Sequence, residues 1–164
     1  MIHLFKYSRI KPLAGPLGKL IASAVPTDQS FDVVVPVPLH WRRRLARGFN
    51  QSELLARAVA RRYGAPVVNA VRRKRSTSAQ AGLTHAKRRA NVAGAFTVVR
   101  QRAIESRRVL LVDDVMTTGA TAAACAAALR RAGARYVALL TLARVDRRIG
   151  AAAYPAGSVA VGVS

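Results

Sequence analysis

The sequence predicts an α/β fold: a mostly parallel, twisted sheet with helices on both faces. Three observations carry this. Segments that read as strands alternate with segments that read as helices, an order that implies right-handed crossovers. Two strand segments, FDVVVPVP (31–38) and RRVLLVDD (107–114), are continuous apolar runs, as in strands buried on both faces. The apolar residues, 51% of a 164-residue chain with 5% aromatics, are dominated by Ala, Val and Leu, which favours helices packed on buried strands over an aromatic-rich sandwich.

Residues 12–25 (PLAGPLGKLIASAV) read as a short helix loosened by Gly15 and Gly18. PTDQS is a turn, and the run at 31–38 is the first strand, ended by Pro36 and Pro38. WRRRLARG (41–48) is a basic loop. Ser52 is placed to cap a helix over 52–63, with Leu54, Leu55, Ala58 and Val59 inward and Gly64 as its stop. VVNAV (67–71) reads as a second strand. Residues 72–91 are polar and basic without an apolar period, and a stretch that long in a compact domain reads as a lid or binding loop. Strands are expected at 94–99, 107–114 and 136–145, a helix over 120–134 stopped by Gly133, and a last edge strand in SVAVGV. Ligands in such sheets bind beyond the carboxyl ends of the strands, which singles out the loops at 38–51, 72–91 and 113–121.

Composition narrows the function classes. A single cysteine, Cys125, excludes an internal disulfide framework and a multi-Cys zinc site, and reads as a small core residue. His3, His40 and His85 are widely spaced, so no protein-liganded metal is expected. No stretch approaches the roughly 20 apolar residues of a membrane span. Lys6, Arg9, Lys11 and Lys19 interrupt any signal-peptide core, so a cytoplasmic protein is expected. The 28 Lys+Arg against 7 Asp+Glu give a net charge of +21, enough to attract polyanions such as nucleic acid by long-range field. An Arg- and Ala-rich composition with solvated arginine faces explains the same charge without a partner.

The most informative segment is Val109-Leu110-Leu111-Val112-Asp113-Asp114-Val115-Met116-Thr117-Thr118-Gly119-Ala120-Thr121. Two adjacent carboxylates stand where a buried strand is expected to end, and a Thr/Gly turn then opens a helix. The helix start offers unpaired N–H groups and a positive dipole end to a phosphate. Gly119 lets backbone approach closely, and the hydroxyls of Thr117, Thr118 and Thr121 add donors. Carboxylates repel phosphate but accept hydrogen bonds from vicinal hydroxyls, so the pair and the turn together suit a ribose 5-phosphate. A capping role needs one Asp and leaves the second unexplained. Neither a Gly-Lys-Ser/Thr phosphate loop nor a G-x-G-x-x-G fingerprint is present.

VLLVDDVMTTGAT resembles the phosphoribosyl pyrophosphate (PRPP) binding motif of type I phosphoribosyltransferases. The resemblance implies that Asp113 and Asp114 hold the ribose hydroxyls, and that Thr117, Thr118, Gly119, Ala120 and Thr121 hold the 5-phosphate. PVPLH (36–40) followed by RGFNQ (47–51) is similar to the ComF (GntX-like) family, which includes proteins of bacterial competence for DNA uptake. In that family the segment after the first strand is the pyrophosphate loop, which assigns Pro38, Leu39 and Arg47 to it. RRKRSTSAQAGL (72–83), Arg88, Asn91 and GAF (94–96) match the closing lid, whose Arg75 joins Asp113 and Asp114 in the implied catalytic set. Ser78 stands where the family tends to have Pro, and Lys87 where it tends to have an acid.

The resemblance spans roughly residues 4–145 and implies a type I phosphoribosyltransferase-like domain over 31–164, preceded by a helical, hood-like remnant at 1–30. Many members carry a Cys-rich zinc ribbon ahead of this start, and its absence reads as a trimmed member or a downstream start. The implied chemistry is displacement of pyrophosphate from PRPP by an unidentified nucleophile, with Mg²⁺ held mainly by PRPP itself. Two alternatives stay open: a non-catalytic PRPP- or nucleotide-binding module, and a basic nucleic-acid-binding protein acting through 42–47 and 72–75.

Overall fold

The computed structural model describes residues 14–23, 25, 28–39, 49–74, 94–144 and 162–163. In chain order the elements are α1 (Ala14–Ser23), β1 (Val33–Pro36), α2 (Gln51–Tyr63), β2 (Val71–Arg73), β3 (Phe96–Val98), β4 (Arg108–Met116), α3 (Ala120–Arg131), β5 (Tyr136–Arg144) and β6 (Gly162–Val163). The main sheet runs β1-β4-β5-β6. β1, β4 and β5 are parallel, with Val33 beside Val109 and Arg108 beside Tyr136, and β6 pairs antiparallel on the edge. The fold is the α/β arrangement expected.

The continuous apolar runs are explained by two cores, one on each face. Alternate residues of each strand point to opposite sides. Val34, Leu110, Val112 and Leu140 meet Leu17 and Ile21 of α1 and Leu55 and Val59 of α2. Val33, Val35, Val109, Leu111 and Val137 meet Cys125 and Leu129 of α3 and Val71 and Phe96 of the smaller sheet. The helix following β1 and the helix following β4 therefore cover opposite faces. That makes the gap between the tips of β1 and β4 a topological switch point, where such sheets bind ligands.

Two local readings change. The strand expected at 67–71 is a single parallel bridge, Val67 to Val34. Pro66 has no N–H to extend a ladder, and the Ala70 N–H donates back to the Val68 carbonyl at 2.8 Å, a tight turn that redirects the chain. The three residues after it, Val71–Arg73, pair antiparallel with Phe96–Val98. β4, expected to end at 114, continues to Met116 because Val115 and Met116 still pair with Ala143 and Arg144 of β5. Asp113 and Asp114 thus lie within a strand that projects beyond β1, whose last partner is Val112.

Gly18 does more than loosen α1. A Cβ there would run into Ala58 Cβ, so the glycine sets how closely α1 seats on α2. No described helix is long and apolar enough to cross a membrane. Gly18→Ala is expected to cost about 1–3 kcal/mol of stability by overpacking, although alanine favours a helix by about 1 kcal/mol. Urea unfolding checks this, and Ala58→Gly in the same chain should recover most of the loss.

Candidate functional site

The projecting end of β4 carries the acidic pair into a cleft of about 150 Å³. Pro38 and Leu39 border it from the end of β1, Gln51 and Ser52 from the first turn of α2, Arg73 from β2, and residues 117–122 from the turn into α3. A larger hollow of about 390 Å³ flanks α3. Its lining is mostly alanine with Val137 and Leu139, which does not suit a charged sugar.

Asp113 is buried, with 8% of its surface exposed. Its Oδ1 accepts two hydrogen bonds, from Ser52 Oγ at 3.2 Å and from the Asp114 backbone N–H at 2.9 Å. Burial pushes the Asp113 carboxyl up to about 7, and Asp114's negative charge and side-chain hydrogen bond add to the rise. The Asp114 N–H and the Ser52 hydroxyl oppose it by stabilising the ionised form. Cys125, fully buried, is also raised, chiefly by its burial and then by the charge of Asp113. It is a neutral core thiol.

Ser52 was expected to cap α2. The N-cap position is Asn50, and neither side chain caps the helix. Asn50 Nδ2 instead donates to the Val37 carbonyl at 3.1 Å, tying the start of α2 to the tip of β1. That frees the Ser52 hydroxyl for Asp113, 61 residues away. Local sequence favours capping; the tertiary partner wins because a buried carboxylate oxygen without donors is costlier than an uncapped helix end.

The turn after β4 reverses direction at Gly119, whose φ of +73° lies in the left-handed region that a side chain strains. α3 starts one residue later with no side-chain cap. Thr118 Oγ1 accepts a long bond from the Ala120 N–H at 3.4 Å. Thr117 and Thr118 are exposed at the cleft, so hydroxyls and early helix N–H groups face one opening.

The structure thus gathers Asp113, Asp114, Pro38, Leu39, Thr117, Thr118, Gly119, Ala120 and Thr121 around one cleft. Arg47 and Arg75, with His40, Trp41 and the rest of the lid segment 75–93, lie outside the described residues. Sequence reasoning passed over Ser52's true partner and Arg73, which sits over the Phe96 ring at 5.5 Å and borders the cleft. No sequence signal separates Arg73 from its basic neighbours; the alternation within 71–73, buried then exposed then half-buried, belongs to the strand. Among the described residues no group of three or more His, Cys, Asp or Glu is arranged to hold a metal.

A family model described as the phosphoribosyl transferase domain matches residues 10–156. The chain belongs to the phosphoribosyl transferase domain family. Within it, the chain is 36% identical over 151 residues to the DNA utilization protein YhgH of Escherichia coli K12, covering 88% of this chain and 66% of that protein. It is 38% identical over 115 residues to competence protein F of Haemophilus influenzae, covering 69% and 50%, and 33% identical over 125 residues to competence protein ComFC of Bacillus subtilis, covering 74% and 48%. These relatives place it with the ComF-like proteins of phosphoribosyltransferase fold, and the chain spans about half to two thirds of their length. Among solved structures, the glutamine PRPP amidotransferase of B. subtilis superposes with a TM-score of 0.54 at 26% identity, covering 78% of this chain and 25% of that one.

The raised Asp113 carboxyl has a consequence for stability. Below about 3.8 both folded and unfolded chains hold the proton, and between there and about 7 only the folded chain does. Stability from this group is therefore highest at low pH and falls as pH rises through that window. Asp113→Asn is expected to flatten that fall, measured as unfolding free energy in urea between about pH 4 and pH 8. Ser52→Ala should move the Asp113 midpoint higher, read by carboxyl ¹³C titration.

Proposed function

We propose that the protein binds PRPP with Mg²⁺ and transfers its phosphoribosyl group to an acceptor nucleophile, in the manner of a ComF-type phosphoribosyltransferase. The observation that carries this is the shared cleft: paired acids at the tip of β4 beside a glycine-shaped turn and the start of α3. In this reading the ribose 2- and 3-hydroxyls donate to Asp113 and Asp114. The 5-phosphate sits on the turn 117–121, where exposed threonines and helix N–H groups supply donors. Pyrophosphate lies toward Pro38 and Leu39, with Arg47 and Arg75 as its expected cations.

The donor set fits Mg²⁺ bound through the substrate. Two adjacent carboxylates with no third ligand among the described residues make a poor protein cage, whereas magnesium readily binds through phosphate oxygens and water. When bound, the ion supplies charge neutralisation on the leaving pyrophosphate. The C1–oxygen bond breaks with its electron pair passing to pyrophosphate, and the nucleophile's lone pair forms the new bond at C1. The chain's own part is to orient the ribose and to face the positive charge developing on the ring with the ionised carboxylate of the pair. The acceptor loses its proton to that carboxylate or to water.

The names of the relatives support a role in handling or taking up DNA, and a cytoplasmic setting fits PRPP as substrate. Isothermal titration with PRPP and Mg²⁺ tests binding. The wild type should bind, and Asp113→Asn with Asp114→Asn should lose on the order of 100-fold or more, as expected for removing two charged hydrogen-bond acceptors. Release of pyrophosphate with a panel of bases tests transfer. Binding that survives the double substitution would remove the diol role of the pair.

A further inference from the structure

The strand-start end of the sheet, opposite the cleft, is a strongly basic surface. β1, β4 and β5 begin there side by side, and the parallel crossovers bring the last turns of α2 and α3 back to the same end. Arg61 and Arg62 close α2, Arg130 and Arg131 close α3, and Arg107 and Arg135 precede β4 and β5. All six are exposed. The Arg135 N–H donates to the Arg107 carbonyl at 3.0 Å and the Ser106 N–H to the Gly133 carbonyl at 2.8 Å, which joins the α3 end to both strand starts. Phe31, at the start of β1, contacts the rings of Tyr63 and Tyr136 at 5.6 and 6.4 Å and joins the α2 end to the same surface.

Local structure explains only part of this charge. Arginines in the last turn of a helix complement its dipole, which accounts for Arg61, Arg62, Arg130 and Arg131. Arg107 and Arg135 have no such reason. Arg108 shows what a structural arginine looks like here: half-buried, with Nε donating to the Ser30 carbonyl at 2.8 Å and its guanidinium 4.7 Å from the Tyr136 ring. Three acids share this end: Asp32, engaged by the Arg108 N–H at 2.7 Å, Asp28 near Tyr63, and Glu105, whose side chain lies against Gly133. Among the described residues the ion pair is Arg57–Glu53, toward the start of α2, and none of the six arginines pairs with a carboxylate.

We propose that this end of the molecule binds the phosphate backbone of nucleic acid, independently of the cleft. Planar guanidinium forks match phosphate oxygens, and the cations of this patch are all arginines, which outnumber the acids Asp28, Asp32 and Glu105 at the same end. An anionic membrane is the weaker fit, because the exposed large apolar residues among those described, Leu20 and Val99, lie on neither α2, α3 nor these strand starts.

The test is fluorescence anisotropy of labelled single- and double-stranded oligonucleotides with the full chain, across a salt series. Arg107→Gln, Arg131→Gln and Arg135→Gln together are compared with an equal-charge control elsewhere, Lys19→Gln, Arg57→Gln and Arg144→Gln. The patch variant should lose at least about tenfold in affinity and lower the salt slope by up to about three, one for each phosphate contact removed. The control should lose less than about threefold. Saturating PRPP and Mg²⁺ should leave oligonucleotide binding unchanged. Equal losses in both triple variants would assign binding to bulk charge and overturn the proposal. So would binding to vesicles of acidic phospholipid without binding to oligonucleotides, or competition by PRPP. Thermal melts monitor folding, and if the triple variant melts early, the single substitutions Arg107→Gln and Arg135→Gln are held to the same comparison against Arg57→Gln.

Discussion

The site depends on one costly placement: the carboxyl of Asp113 is buried next to that of Asp114. A buried carboxylate beside a like charge is unfavourable in its ionised form, and here two donors, the Ser52 hydroxyl and the Asp114 N–H, reduce that cost without cancelling it. The remaining imbalance is what a diol could relieve. Two hydroxyls that donate to the pair would supply further hydrogen bonds to its ionised form, so binding of a ribose and ionisation of the pair would favour each other.

The fold supplies this placement through the unequal lengths of two parallel neighbours. β1 stops at Pro36 while β4 runs on to Met116, so the acids project past the strand that would otherwise cover them. Asn50 then fixes α2 to the tip of β1 and sets Ser52 against the buried carboxyl of Asp113. On the other side, Gly119 turns the chain so that α3 begins at the cleft. Strand length, a side-chain tie and a left-handed turn together place an acceptor pair and a donor cluster on one opening.

The sequence made the fold class and the acid–turn–helix segment legible because both are local patterns. Continuous apolar runs reflect burial on two faces, and residues 109–121 hold acids, turn and helix start in one contiguous stretch. The partner of Ser52 was illegible because the hydroxyl chooses between a local cap and an acceptor 61 residues away, and only tertiary packing decides. The break at 67–71 turned on a backbone bond from Ala70 to Val68 that hydropathy does not encode. Gly18 looked like a weakness in a helix and proved to be a contact with Ala58. Arg73 was hidden inside a basic run whose alternation becomes visible only once β2 is known to pair with β3.

The pairing of sugar hydroxyls with the two acids is tested most directly by titrating the protein calorimetrically with ribose 5-phosphate and with 2-deoxyribose 5-phosphate at equal pH and salt. The two ligands share the phosphate and differ by one hydroxyl. The account expects the deoxy sugar to bind about 10- to 150-fold more weakly, the loss of one hydrogen bond to a charged acceptor. Equal affinity for the two sugars would contradict it.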